Sequence, residues 1–314
     1  MATPHAGEDR TAATLERVTT SRPYTYRANA AQRAGGPEDG HNVGAVLGAV
    51  RDDIRQTLRT AWTDPSLEAC AAHPAFFTAA WSAVRPNVGK SFLALTRTVR
   101  SDGVESVRSR FAQPTVDLRL SDAHSDEEIH RIEESARSAF LAAPKFQVVV
   151  HAFHRMLRRE RIPGTGREES PVRRGVPEWQ RWMAFQPGAD GVASILDDAA
   201  EILGAPAAPG VAKLFARWPV VLSAIWDGVR PWIGTDAWRG ASSKARRAVL
   251  GGVNNLPHPM ELQWGALKAR GFTDAERLAL LDVVASFDQA MAAQTVMASF
   301  VWVALGGPEV GAEG

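Results

Sequence analysis

The stretch "HPAFFTAAWSAVRP", which begins at His73, returns 145 positions on (219 − 74, proline to proline) as "WPVVLSAIWDGVRP". Pro74, Trp81, Val84, Arg85 and Pro86 recur without a gap as Pro219, Trp226, Val229, Arg230 and Pro231. A period this long exceeds that of solenoid repeats and points to duplication of a whole structural unit.

The flanking sequence repeats in the same order. "VRDDIRQTLRTAW" places apolar residues at Val50, Ile54, Leu58 and Ala61, spaced four, four and three, as on one face of a helix. "DPSLEACAA" reads as a capped helix start, with Asp64 as N-cap and Pro65 at the first helical position. Helices are predicted through "SFLALTRTVR", "SDEEIHRIEESARSAF" and "KFQVVVHAFHRMLRRE", with "SDEE" supplying a cap and an acidic first turn. "ASILDDAAEIL", "VAKLFARWPVVLSAIWDGVRP", "TDAERLALLDVVASF" and "DQAMAAQTVMASFVWVAL" replay this series. Short β-branched runs such as "VVV" sit inside helical periodicity. The predicted fold is all-α: two homologous helical repeats, 43–158 and 191–306, forming an intramolecular pseudo-dimer with a cleft between them. The segment 159–190, rich in Pro, Gly and mixed charge, is the predicted linker. Residues 1–42 are a predicted flexible tail, and 307–314 a C-terminal tail. Both tyrosines, Tyr24 and Tyr26, lie in the first tail, which leaves the helical units no tyrosine acid.

Composition narrows the function. The 314 residues are 45% hydrophobic, enough for a substantial core, and 36 basic against 35 acidic side chains leave a net charge of +1. That balance offers no field for nucleic acid or an anionic membrane. Cys70 is the only cysteine, so there is no internal disulfide. "MATPHAGEDR" lacks the apolar core of a signal peptide, and "AMAAQTVMASFVWVALGG" is interrupted by Gln294, Thr295 and Ser299, which suits a buried helix better than a membrane span. A soluble cytoplasmic protein is the expectation.

"DIRQTLRTAW" followed by "HPAFFTAAW", with "LFARWPVVLSAIW" in the second unit, resembles the DehI family of group I 2-haloacid dehalogenases. The resemblance spans nearly the whole chain after the tail. It implies an all-α pseudo-dimer with its site between the halves and no metal or organic cofactor. It also implies an aspartate that activates water to displace halide from a short 2-haloacid, since a carboxylate in an apolar cleft is a stronger base than in water. Trp62 matches an active-site tryptophan of the family. The pattern departs at "APGVAKLFARWP", where Gly210 and Val211 stand in place of Ser and the catalytic Asp, and at "FLAAPKF", where Ala143 stands in place of an Asn. Hydrolysis of simple 2-haloacids is therefore expected to be slow or absent.

Aligning the last helices of the two units pairs Phe140 with Phe287, Gln147 with Gln294, His151 with Ala298 and His154 with Val301. The second-unit face is mostly apolar, so the first-unit face is expected to be buried, and buried Gln or His needs partners. His151 and His154 are candidate general bases, with His151 the better placed for chemistry and His154 for packing. The alternatives are a solvated stripe or histidines satisfied by backbone carbonyls. Trp62, Phe140, Gln147, Val211, Phe287 and Gln294 are the candidate substrate-binding wall. Asp64 is a candidate relocated base, against its reading as a helix cap. Arg85 and Arg230 could hold a carboxylate, although their presence in both units favours a structural role at a helix end. "GKS" at Gly89–Ser91 lacks the Walker A glycine, and "HAFH" has no third ligand at a matching spacing, so no metal site is expected. The chain is read as a cofactor-free enzyme acting on a small carboxylic acid, or as a non-catalytic small-ligand-binding protein on the same scaffold. The implied partners are that small molecule and a second copy of the chain in a homodimer.

Overall fold

The computed structural model describes residues 37–111, 124–170, 172–183 and 191–307. Tyr24, Tyr26 and most of both predicted tails lie outside the described residues, while the first helix begins at Pro37, six residues before the predicted start at 43. The described residues form eleven α-helices in the order α1 (Pro37–Leu58), α2 (Pro65–Ala71), α3 (Pro74–Val84), α4 (Lys90–Arg110), α5 (Asp126–Leu157), α6 (Ala193–Leu203), α7 (Gly210–Phe215), α8 (Pro219–Val229), α9 (Asp236–Gly252), α10 (Trp264–Ala269) and α11 (Asp274–Ala304). They contain no strand, only a single antiparallel bridge between Ile162 and Met260. The all-α expectation holds. No helix among them is long and apolar enough to cross a membrane.

Helix starts follow local chemistry. Asp64 caps α2 by accepting from the Ser66 backbone N–H at 3.0 Å, with Pro65 at the first position. Ser125 and Glu128 form a reciprocal capping box at the start of α5, and Thr273 and Glu276 form another at α11, each satisfying two otherwise unpaired N–H groups. Elsewhere the boundaries differ from those predicted. α5 runs 32 residues straight through Pro144, where the sequence suggested two helices, and α11 likewise joins two predicted segments over 31. Proline inside a helix costs about 3 kcal/mol. The fully buried Phe146, Val148 and Val149, with Phe140 before the proline, offset it by removing apolar surface from water.

The repeated stretches build the same local structure. α3 and α8 each start on a proline, span 11 residues and end in a 3-10 turn, Arg85–Asn87 and Arg230–Trp232. Trp81 Nε1 donates to Asp53 at 2.7 Å, and Trp226 Nε1 to Asp198 at 2.8 Å. Arg85 and Arg230 bind the same two acids, at 2.7 and 2.8 Å. Both arginines therefore fasten the end of one helix to an acid on another, the structural alternative of the sequence reading.

The two long helices pack antiparallel in a regular register. Phe140 stacks on Trp302 with centroids 5.2 Å apart, Thr295 donates to Gln147 Oε1 at 2.9 Å, and His154 meets Asp288 at 2.7 Å. Each step of seven along α5 is matched by seven in the opposite direction along α11, the spacing that keeps two helices face to face. The contact continues to Arg159, which pairs with Asp274 at 2.6 Å. The described part of the 159–190 segment is irregular but anchored on both sides. Ile162 is fully buried against Met260, Thr165 N–H donates to the Leu256 carbonyl, Gly175 N–H to the Gln56 carbonyl, and Arg174 pairs with Asp53. Glu169 accepts from the Ser91 backbone N–H at the start of α4, so a carboxylate occupies the end of the "GKS" stretch.

Where α4 crosses α11, a Cβ on Gly103 would fall inside van der Waals contact of the Ser299 hydroxyl. Gly103→Ala should lower stability by about 1–3 kcal/mol despite the better helix propensity of alanine, as expected of overpacking. Urea denaturation should show the loss shrinking in a Ser299→Ala background, where the hydroxyl is gone. Cys70 is fully buried, and burial pushes its thiol well above the usual cysteine range. A thiol reagent should leave the native protein unmodified at pH 8 and label one cysteine only after denaturant is added.

Candidate functional site

His151 and His154 lie one helical step of three apart, on the face of α5 that meets α11. The register of the two helices places Asp288 opposite them. His154 Nδ1 is 2.7 Å from Asp288 Oδ2, and His151 Nδ1 is 3.2 Å from both carboxylate oxygens. One carboxylate thus orients two imidazoles. His151 and Asp288 are each 5% exposed, while the His154 side chain keeps 16% of its surface. Burial opposes ionisation of Asp288, but the hydrogen bonds and charge of His151 and then His154 outweigh it and pull its carboxyl down to about 2. The buried Nε2 of His151 has no hydrogen-bond partner.

The three side chains open into a pocket of about 280 Å³ between the end of α5, α9 and the following turn. Its walls include Arg155, Arg158, Glu160, Arg246, Leu250 and Asn254. Glu160 pairs with both Arg155 and Arg158 at 3.0 Å, and Arg155 also donates to Asn254 at 2.7 Å. Arg246 lines the same pocket from α9, and no acid among the described residues meets its charge. The pocket thus combines two proton-accepting rings, one acid that fixes them, and a cation suited to an anionic ligand.

The remaining candidates do not gather there. Gln147 is held by Thr295 at the middle of the α5–α11 contact; Gln294 is buried beside Thr295, and its Oε1 has no partner. Phe287 is buried next to Asp288. Phe140, stacked on Trp302, lies two heptads from His154, about 21 Å along the helix. Trp62, Asp64 and Val211 form a separate interior group. Trp62 packs on Phe146 at 4.7 Å and donates from Nε1 to Ser138 at 3.1 Å. The Asp64 carboxylate accepts from Ser66 Oγ at 2.5 Å, from the Ser66 N–H, and from the backbone N–H of Gly210. Burial raises its pKa, with those hydrogen bonds and the charge of Lys213 offsetting part of the rise. A Cβ on Gly210 would lie 2.6 Å from both Asp64 Oδ2 and the Trp62 ring. Asp64 is therefore the helix cap, with its oxygens engaged across α2 and α7. Val211 is fully buried beside it.

Two expectations need correction. The six residues of the expected substrate wall do not gather at the histidines, because Trp62 and Val211 lie in the separate interior group and Phe140 stacks on Trp302 two heptads along α5 from His154. The histidine pair does have a third candidate ligand, and it comes from α11 rather than from a local motif. The signal was an acid interrupting the apolar run "VVASFDQAM" of a buried helix. Asp288→Ala should cost about 1–3 kcal/mol of stability by leaving buried ring nitrogens unpaired. In a His151→Ala, His154→Ala background the same change should cost clearly less, and equal costs in urea denaturation would remove the coupling.

No model of a known protein family matches the chain. It is 23% identical over 275 residues to a configuration-inverting 2-haloacid dehalogenase of Pseudomonas sp. (strain 113), covering 82% of this chain and 87% of that protein. Among solved structures it is similar to D-2-haloacid dehalogenase in complex with L-LA, at TM-score 0.73 and 19% identity over 82% of this chain and 92% of that one. Mutant forms of D-2-haloacid dehalogenase, one of them with D-2-CPA, give the same TM-score and identity over 91% of their length. The chain has sequence similarity to a 2-haloacid dehalogenase and the fold of D-2-haloacid dehalogenase.

Proposed function

We propose that this chain is a hydrolase-type enzyme of duplicated dehalogenase architecture, working in the cytoplasm on a small carboxylic acid without an organic cofactor. The observation that carries the reading is the Asp288 carboxylate bonded to both His154 and His151 in a pocket that Arg246 also lines. Asp288 accepts the Nδ1–H of His154 and so presents Nε2 as the proton acceptor. His154 is the base in this reading rather than His151, because it is the more exposed ring and makes the shorter bond to the acid. Arg246 holds the substrate carboxylate. Water attacks the neighbouring carbon, its proton passes to His154 Nε2, the leaving group departs with the bonding electrons, and Asp288 stabilises the imidazolium. Val211 at the place of the family's catalytic Asp keeps simple 2-haloacids poor substrates.

A second reading, a binding protein without turnover, is favoured by that same Val211. Thermal-shift screening of small carboxylic acids, followed by turnover and by halide release from D- and L-2-chloropropionate, separates the two. Arg246→Ala should abolish the shift, since a charged hydrogen bond contributes about 1.5–3 kcal/mol. His154→Ala should keep the shift while turnover falls roughly 10²- to 10⁴-fold. A ligand that stabilises the wild type with no product formed favours the binding protein, and undiminished turnover in His154→Ala removes this base.

A further inference from the structure

We infer that His151, His154 and Asp288 form a binding site for one divalent transition-metal ion. One potential ligand atom from each residue lies within 4.8 Å of the others. Two ligands at right angles on a metal with bonds of about 2.1 Å sit about 3 Å apart. The His151–Asp288 and His154–Asp288 separations, 3.2 and 2.7 Å, bracket that value. Each imidazole therefore already stands about as far from the carboxylate as adjacent ligands do on one ion.

The donor set selects the ion. Two neutral imidazoles and one carboxylate suit zinc, cobalt, nickel or ferrous iron, whereas magnesium and calcium want an all-oxygen shell. Both histidines come from one rigid helix and the acid from its antiparallel neighbour, so the ligands are held before the ion arrives. His151 and Asp288 are each 5% exposed, so two of the three ligands are shielded from bulk water. Three protein ligands leave coordination positions open, and the three residues share their pocket with Arg246. An anion is the co-ligand such a position takes.

This inference goes beyond the base reading and does not rest on it. A metal on these atoms displaces the hydrogen bonds that hold the rings to Asp288, so metal-loaded and base-competent forms exclude each other. The test uses the full, untagged chain after dialysis against chelator. Co²⁺ is titrated and followed by visible absorption, and Zn²⁺ and Mg²⁺ by calorimetry. One Co²⁺ and one Zn²⁺ per chain are expected, with no heat from Mg²⁺. Asp288→Asn and His154→Gln should each weaken Zn²⁺ binding at least about tenfold. His154→Gln alters the more exposed ring, so it keeps the test interpretable if Asp288→Asn unfolds. Absence of binding, or affinity unchanged in His154→Gln, overturns the site. Turnover measured in excess chelator tests the base reading separately.

Discussion

The antiparallel contact of α5 with α11 sets the position of everything else described in this chain. Its heptad spacing pairs Phe140 with Trp302, Gln147 with Thr295 and His154 with Asp288. The chemistry changes along the seam from stacked aromatic, through a buried polar pair, to a charged triad. Apolar burial drives the association, while the polar rungs fix the register, because a slip of one position would leave Gln147, Asp288 and two imidazoles unpaired in the interior. The seam therefore acts as both the core and the ruler of the fold.

That division of labour explains why the acid tolerates its position. A carboxylate buried to the extent of Asp288 is unfavourable alone, yet two imidazoles surround it and the pocket beyond them carries arginines. Arg155 and Arg158 share Glu160, so the region has been balanced against its own acids rather than left strongly positive. The interior group around Trp62 is built differently. There the polar atoms satisfy one another through Ser138, Ser66 and the Gly210 backbone, and the result is a closed structural knot.

What was legible in the sequence was what local chemistry decides. The Asp64 cap, the Ser125 start and the repeated Trp–Arg–Pro segments each depend on residues within a few positions, and the structure carries them as read. Pro144 misled because its local penalty is real but smaller than the burial around it. The histidine pair stood out only by comparison with Ala298 and Val301. Asp288 lies 134 positions from His154, and no periodicity links them, so its role emerges only from the register of two folded helices.

Gly210 carries a different kind of consequence. With no room for a Cβ there, the cap of α2 and the ring of Trp62 have closed over the start of α7. Any residue with a side chain at 210 would bring its Cβ to 2.6 Å from both Asp64 Oδ2 and the Trp62 ring. Order of substitution thus matters: a larger residue can enter at 210 only after both of those side chains have shifted or been replaced. The glycine thereby ties positions 62, 64 and 210 together, so that none of the three varies independently of the others.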